Sequence, residues 1–395
     1  MNQTFKANYT MTTSGLFIIL IHVFAIISLP LYLMGTTPGI LLVSLSLLLL
    51  YLSETGITAG YHRLFSHPNY RTVKIIEVIL LWFGTLTLQG SALKWSYDHR
   101  LHHANVDNDG DPYNIKLGFW HAHVLWLFTT PNEIDEKVIP DLIKNKLLLF
   151  QHNNYYFLAV FTNVTTCLFI GIIAGDIWGG FILAGLTRIV LSYHLTWFIN
   201  SLAHWWGEKS YSKELTARDN AVLAVLTVGE GYHNYHHTFP GDYRNGIKWY
   251  HFDPTKWLIY SLSKLKLAFD LHKYEENKII KQLIKMDKSF LISRINAIKL
   301  VPEKLKHLIP FDDRNKNEAI EAAIIKIASS LISKRDEITD LIKKKKVMKK
   351  MKGDRSDFKI LTSKIKISRR SYSEEWRKWT QICSIILGKK EAANI

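Results

Sequence analysis

Four long apolar runs precede residue 205, at 15–34, at 39–52 continuing into 56–60, at 155–175 and at 178–203. Each approaches the roughly 20 residues that a helix needs to cross a bilayer, and in hydrocarbon only helices and closed barrels satisfy every backbone N–H and C=O. The chain is therefore expected to be an all-α integral membrane protein with four transmembrane helices in two hairpins. The first run follows a short polar stretch, without a charged leader of the secretory type or a small-residue cleavage site, and reads as a retained helix. Two hairpins put the N-terminus, the segment 61–154 and everything after 204 on one side. A fifth stretch, 75–93, is apolar but carries Glu77 and Gln89 between Lys74 and Lys94, which suits the membrane interface or packing against the protein.

Charge divides the chain in two. Residues 1–274 hold 20 Lys and Arg against 18 Asp and Glu, whereas residues 275–395 hold 30 against 16, so the tail supplies +14 of the net +16. The positive-inside tendency makes the hydrophilic side cytosolic. We expect a membrane domain with a cytosolic cap over 1–274 and a basic helical extension over 275–395. Stretches such as "EAIEAAIIKIASSLISKRDEITDLIKKKKVMKKMKGD" repeat apolar residues at helical spacing, as in helices on an anionic membrane surface or against the cap. Lysine runs also suit nucleic acid, but no recognition motif accompanies them and no nucleic-acid partner is expected. Cys167 and Cys383 are the only cysteines, which excludes a disulfide scaffold and cysteine-based iron–sulfur or zinc-finger sites.

Nine of the 17 histidines fall in four short segments on the proposed cytosolic side. These are "HRLFSH" (His62, His67), "DHRLHH" (His99, His102, His103), "NSLAH" (His204, with Asn200 one turn earlier) and "GYHNYHH" (His233, His236, His237). On a helix, positions i, i+3 and i+4 share a face, so each H-x-x-H-H box offers three ring nitrogens from one element. His62 and His67 are five apart and Pro68 follows, which places them where the second span frays. A single ion takes four to six ligands, so nine imidazoles fit two metals, with iron ahead of zinc for an open redox site. Asp98, Glu230, Asp107, Asp109 and Asp111 are candidates to accept the outer ring N–H groups. His121 and His123 read as interfacial residues, and Arg188 and His194 as interior-facing polar groups of the fourth span.

"GITAGYHRLFSH", "DHRLHH" with its following "DP", "GFW", "NSLAH" and "GEGYHNYHHTFP", with "DYRNGIKWYHFDPTKW" downstream, resemble the integral-membrane fatty acyl desaturases, in the acyl-CoA Δ9 (stearoyl-type) branch. The resemblance covers roughly residues 15–270. It implies a mushroom-shaped four-helix membrane domain whose cytosolic helical cap carries a nine-histidine di-iron site. The implied ligands are His62, His67, His99, His102, His103, His204, His233, His236 and His237, with Asn200 holding a water. Gln89, Trp95 and Thr196, with Trp197 beside them, match residues that bend the acyl chain at the metals. The implied reaction uses O2 and two iron ions (Fe2+/Fe3+) to place a cis double bond, at Δ9, in a saturated acyl chain, most simply an acyl-CoA. The sequence carries no "HPGG" haem-binding motif, so electrons are expected from a separate cytochrome b5- or ferredoxin-type donor with its reductase.

The chain also departs from that pattern. Thr129 and Thr130 stand where animal members carry a basic pair that meets the CoA phosphates, and Gly90 and Tyr97 replace an asparagine and an arginine. Glu54 and Leu50 replace small and tyrosine residues near the far end of the acyl tunnel. Other thioesters and lipid-linked chains are thus alternative substrates, and a membrane di-iron hydroxylase is an alternative enzyme. A metal transporter would line its spans with ligands, whereas these histidines cluster outside the bilayer.

Overall fold

The computed structural model describes residues 7–297, 303–310, 316–351 and 354–387. These form two compact units, Met1–Lys273 and Tyr274–Ile395. In the first, the Thr12 hydroxyl accepts the Gly15 N–H at 2.9 Å and so starts α1, Thr13–Gly35. Helix α2, Ile40–Thr55, runs without a break into a π-helical segment, Gly56–Ser66. Helix α3, Lys74–Leu86, packs across that segment. A Cβ on Gly56 would lie 2.4 Å from the Gly84 amide nitrogen, so only glycine permits this approach. The stretch 75–93 therefore packs on the protein through Leu80, Leu81 and Gly84, with Ile75 and Ile79 outward.

Helix α4, Ala92–Asn105, carries the first H-x-x-H-H box; α5, Phe119–His123, and α6, Lys146–Asn153, follow. Helix α7, Tyr155–Ala174, is the third long apolar helix and ends at Gly175 in the left-handed conformation. The fourth, Ile177–Trp205, comprises α8, Ile177–Gly179, a π-helical stretch, Gly180–Thr187, α9, Arg188–Asn200, and α10, Leu202–Trp205. Among the described residues, four helices are thus long and apolar enough to cross a membrane: Thr13–Gly35, Ile40–Ser66, Tyr155–Ala174 and Ile177–Trp205. Phe24, Ile26, Phe157 and Phe169 point outward from them, as lipid-facing residues do. Helices α11, Ala221–Leu226, α12, His233–Thr238, and α13, Pro254–Lys264, complete the unit. The two-residue strands β1, Arg71–Thr72, and β2, Ala268–Phe269, pair antiparallel, with Arg71 opposite Phe269.

Among the described residues, the second unit holds three long helices, α14, Glu276–Ala297, α15, Lys316–Lys350, and α16, Arg355–Leu387. Sequence reading offers a membrane surface or the cap as the cover for their apolar faces. Instead they cover one another: Ile284, Leu291, Ile324, Leu331, Trp379 and Ile382 form one buried core. Apolar residues three and four apart make a stripe on each helix, and three such stripes close a bundle of their own.

Candidate metal centre

His62 and His67 reach one site because the second long helix widens instead of fraying. The His67 amide donates to the His62 carbonyl at 3.1 Å, an i to i+5 bond, and the two ring centroids lie 4.9 Å apart. An α-helix would separate such residues by more than a third of a turn, whereas the π turn brings them nearer one side. The frayed end expected from Pro68 is thus replaced by continuous helix through Ser66.

Each H-x-x-H-H box divides between two groups. His62, His67, His99, His103 and His236 form one; His102, His204, His233 and His237 form the other, with ring nitrogens within 4.8 Å of one another in each. In both boxes the i and i+4 residues of one helix stay together while the i+3 residue crosses to the neighbouring group. Within the first group, Nε2 atoms are 2.9 Å apart for His67 and His99, and 3.0 Å apart for His236 with His62 and with His103. Within the second they are 3.0 Å for His233 and His237, 3.1 Å for His204 and His233, and 3.3 Å for His102 and His237. Ligands at about 2.1 Å from a shared ion and at right angles to each other would stand about 3.0 Å apart, so the donor set fits two ions. Burial first, and neighbouring imidazoles second, hold His67, His99, His103, His233, His236 and His237 well below the ordinary histidine range. These rings are neutral at pH 7 and keep a lone pair to donate.

Outer contacts fix several tautomers. His102 Nδ1 donates to Asp111 Oδ1 at 2.7 Å, and His62 Nδ1 lies 3.0 Å from Glu230 Oε2. His204 Nδ1 contacts the Thr216 hydroxyl at 2.7 Å, which in turn donates to Asp107. Such contacts leave Nε2 free to face the metal position. The fully buried Arg63 guanidinium joins Glu230, at 2.9 Å, to Asp253, at 3.1 Å, and so ties the π segment to the approaches of α12 and α13. Burial works to raise the Glu230 carboxyl, but His62 and Arg63 outweigh it and bring it down to about 2. Asp98 instead pairs with Lys94 at 2.5 Å, and Asp109 is exposed, so neither serves a ring. Thr216 carried no sequence pattern that could have pointed to it.

A cavity of about 30 Å³ lies between the groups, lined by His62, His99 and His233 together with Trp95, Thr196 and Asn200. Asn200 thus borders the same space as the rings. Gln89 donates to the Thr196 hydroxyl at 2.8 Å and accepts from the Trp95 indole at 3.4 Å, so these three form one connected set. Trp197 does not join them. It stacks on Tyr193, with centroids 5.1 Å apart, because consecutive helical residues point about 100° apart. Glu54 enters the set through Ser192 and Thr196. His123 and His194, read as interfacial and interior residues, meet at 3.1 Å, and His22 extends them.

The family model for fatty acid desaturases matches residues 38–268, which hold all nine clustered histidines. The "Probable acyl-CoA desaturase" of Schizosaccharomyces pombe is 42% identical over 242 residues, 60% of this chain and 50% of that protein. "Acyl-CoA desaturase 1" of Saccharomyces cerevisiae is 41% identical over 235 residues, 59% of this chain and 46% of its own length. The chain therefore spans about half the length of these two relatives. "Stearoyl-CoA desaturase 5" of Bos taurus is 34% identical over 245 residues, 60% of this chain and 72% of the bovine protein. A match across more than half of the chain, enclosing both histidine groups, means that the chain belongs to the fatty acid desaturase family.

Proposed function

We propose that this protein is an O2-dependent fatty acyl desaturase that introduces a cis double bond, at Δ9, into a saturated long-chain acyl thioester. The observation that carries the reading is the division of nine converging imidazoles into a five and a four, with His62, His99 and His233 lining a cavity beside them. His62, His67, His99, His103 and His236 would hold one iron, and His102, His204, His233 and His237 the other, with Asn200 placing a water. Two irons, when bound, supply the redox capacity for reducing O2 at an unactivated methylene pair. The balance is simple: the chain loses two hydrogens, a separate donor provides two electrons, two protons enter, and O2 leaves as two waters.

The rest is the work of the protein's own residues. Glu230, Asp111 and Thr216 hold the outer ring nitrogens, which keeps the inner lone pairs aimed at the irons. Gln89, Trp95 and Thr196 border the cavity or bond to residues that do, and would fix the bend of the acyl chain. Burial of the rings excludes bulk water from the reacting carbons. The cytosolic side is supported by the position of the boxes at the ends of two spans and by the basic tail that follows an even number of crossings. Electrons would come from a separate cytochrome b5- or ferredoxin-type protein.

The names of the relatives favour acyl-CoA. One observation favours a lipid-linked chain instead: Thr129 and Thr130, which carry no charge, stand at the place of the basic pair, and the Thr129 hydroxyl donates to the Trp126 carbonyl at 2.6 Å. Expression in a desaturase-deficient host, with a His236→Ala control and mass spectrometry of each lipid class, tests the proposal. A new Δ9 cis monoene that vanishes in the control is expected. Hydroxylated chains, or no change despite good expression and a competent electron donor, would overturn it.

A further inference from the structure

Glu54 is 1% exposed and sits inside the second long apolar helix, where an ionisable group is functional by default. Across from it, Arg188, Ser192 and Thr196 recur every four residues along one face of α9. Ser192 donates to Glu54 Oε1 in a short hydrogen bond, and Thr196 donates to Oε2 at 3.4 Å. The fully buried Arg188 guanidinium is bonded to neutral oxygens, those of Ala184, Ser53, Leu86 and Asn163. Both Glu54 oxygens accept in their contacts with α9, Oε1 from Ser192 and Oε2 from Thr196.

Directionality follows. Each hydroxyl has one hydrogen, and both hydrogens are committed to Glu54, so both oxygens are left to accept from Gln89 Nε2, at 2.8 Å for Thr196 and 3.5 Å for Ser192. The Gln89 amide is thereby held with its nitrogen toward α9 and its oxygen toward the Trp95 indole, a donor only. With Glu54 accepting at one end and the Trp95 indole, a donor only, at the other, the hydrogens between them run in one direction. Trp95 in turn stacks on His99, with centroids 5.0 Å apart, and lines the cavity at the metal centre.

We propose that Glu54 is a positioning residue: through Ser192 and Thr196 it sets the orientation of Gln89 and Trp95, and thereby which carbon–carbon bond of the acyl chain meets the metal centre. This rests on the desaturase reading. The amide of Glu54→Gln places an NH2 donor where Glu54 now accepts, so the change preserves packing while releasing the direction of the network.

The test is E54Q beside wild type in the desaturase-deficient host, reading double-bond position, with iron content, kcat and KM on the purified proteins. E54Q should bind iron as wild type does, spread the double bond over at least two positions, and lose kcat on the order of 10- to 100-fold while KM changes little. A single, unchanged double-bond position in E54Q overturns the role of Glu54, even where its rate falls. Wild type that yields no unsaturated chain sinks the desaturase reading itself, and this inference with it.

Discussion

Two imidazole assemblies lie in the same unit and are built on opposite plans. At the candidate metal centre, His62, His102 and His204 turn Nδ1 outward to oxygen-bearing side chains, and Nε2 atoms converge. In the other assembly the rings stand in series. His22 Nδ1 donates to the Ile18 carbonyl at 2.7 Å, its Nε2 meets His194 Nε2 at 3.3 Å, and His194 Nδ1 meets His123 Nε2 at 3.1 Å. His123 Nδ1 closes the series on the Ser201 hydroxyl at 3.0 Å. Every nitrogen there is occupied by a neighbour, so no three lone pairs share a point. The number of histidines does not make a metal site; outward partners that leave inner lone pairs unspent do.

The largest break should come at the convergent assembly. His236 Nε2 stands 3.0 Å from both His62 and His103, so His236→Ala removes a shared corner of the first group. Iron per protein should fall by about half, and turnover by more than about 100-fold, as measured by elemental analysis and product formation. Retained iron with full activity would mean that the group is not the site.

Smaller effects should follow at the outer partners. Asp111→Asn exchanges an acceptor-only group for one that can turn a donor toward His102, and metal affinity should drop roughly 10- to 100-fold in a chelator competition. The same change at Asp98, which pairs with Lys94, should leave affinity untouched.

Acid should destabilise the metal-free protein, and the sign can be worked out. The six clustered imidazoles have folded values well below the ordinary range, so below about pH 6.5 the unfolded chain binds protons that the folded chain does not. Stability therefore falls as pH drops beneath that value. Glu230, depressed to about 2, adds stability above its unfolded value near 4.5, and that part is lost as pH falls from there toward 2. Thermal unfolding between pH 7.5 and 5 should show a falling midpoint that is less steep in His236→Ala. A flat profile would contradict the buried neutral state of these rings.

The sequence made the spans and the nine clustered histidines legible because both are repeated patterns: long apolar runs, and rings three and four apart. It did not show how the boxes divide, since helical spacing alone puts i, i+3 and i+4 on one face. Only the folded chain shows that His102 joins the second group and His236 the first. The π turn at His62–His67 was hidden for a related reason, because Pro68 suggests an end and nothing local marks a widened helix. Trp197 follows Thr196 in sequence but stacks on Tyr193, because consecutive residues of a helix diverge. The tail's partner could not be read, since an amphipathic stripe states that a cover exists without saying which surface it is.

The serial assembly should give the smallest response. His194→Leu removes the middle ring and leaves His22 Nε2 and His123 Nε2 each without its partner. Leaving a buried polar nitrogen unmade costs about 1–3 kcal/mol, and His22 recovers part of that because it is only half-buried. The midpoint of unfolding should fall by a few degrees, while iron content and double-bond position stay those of wild type. The reason is geometric: the series ends on the Ser201 hydroxyl, which already donates to the Trp197 carbonyl at 2.9 Å, and none of its rings lines the metal cavity. A loss of iron in His194→Leu would show that the two plans are coupled through the end of α9, and that the contrast between them is one of degree.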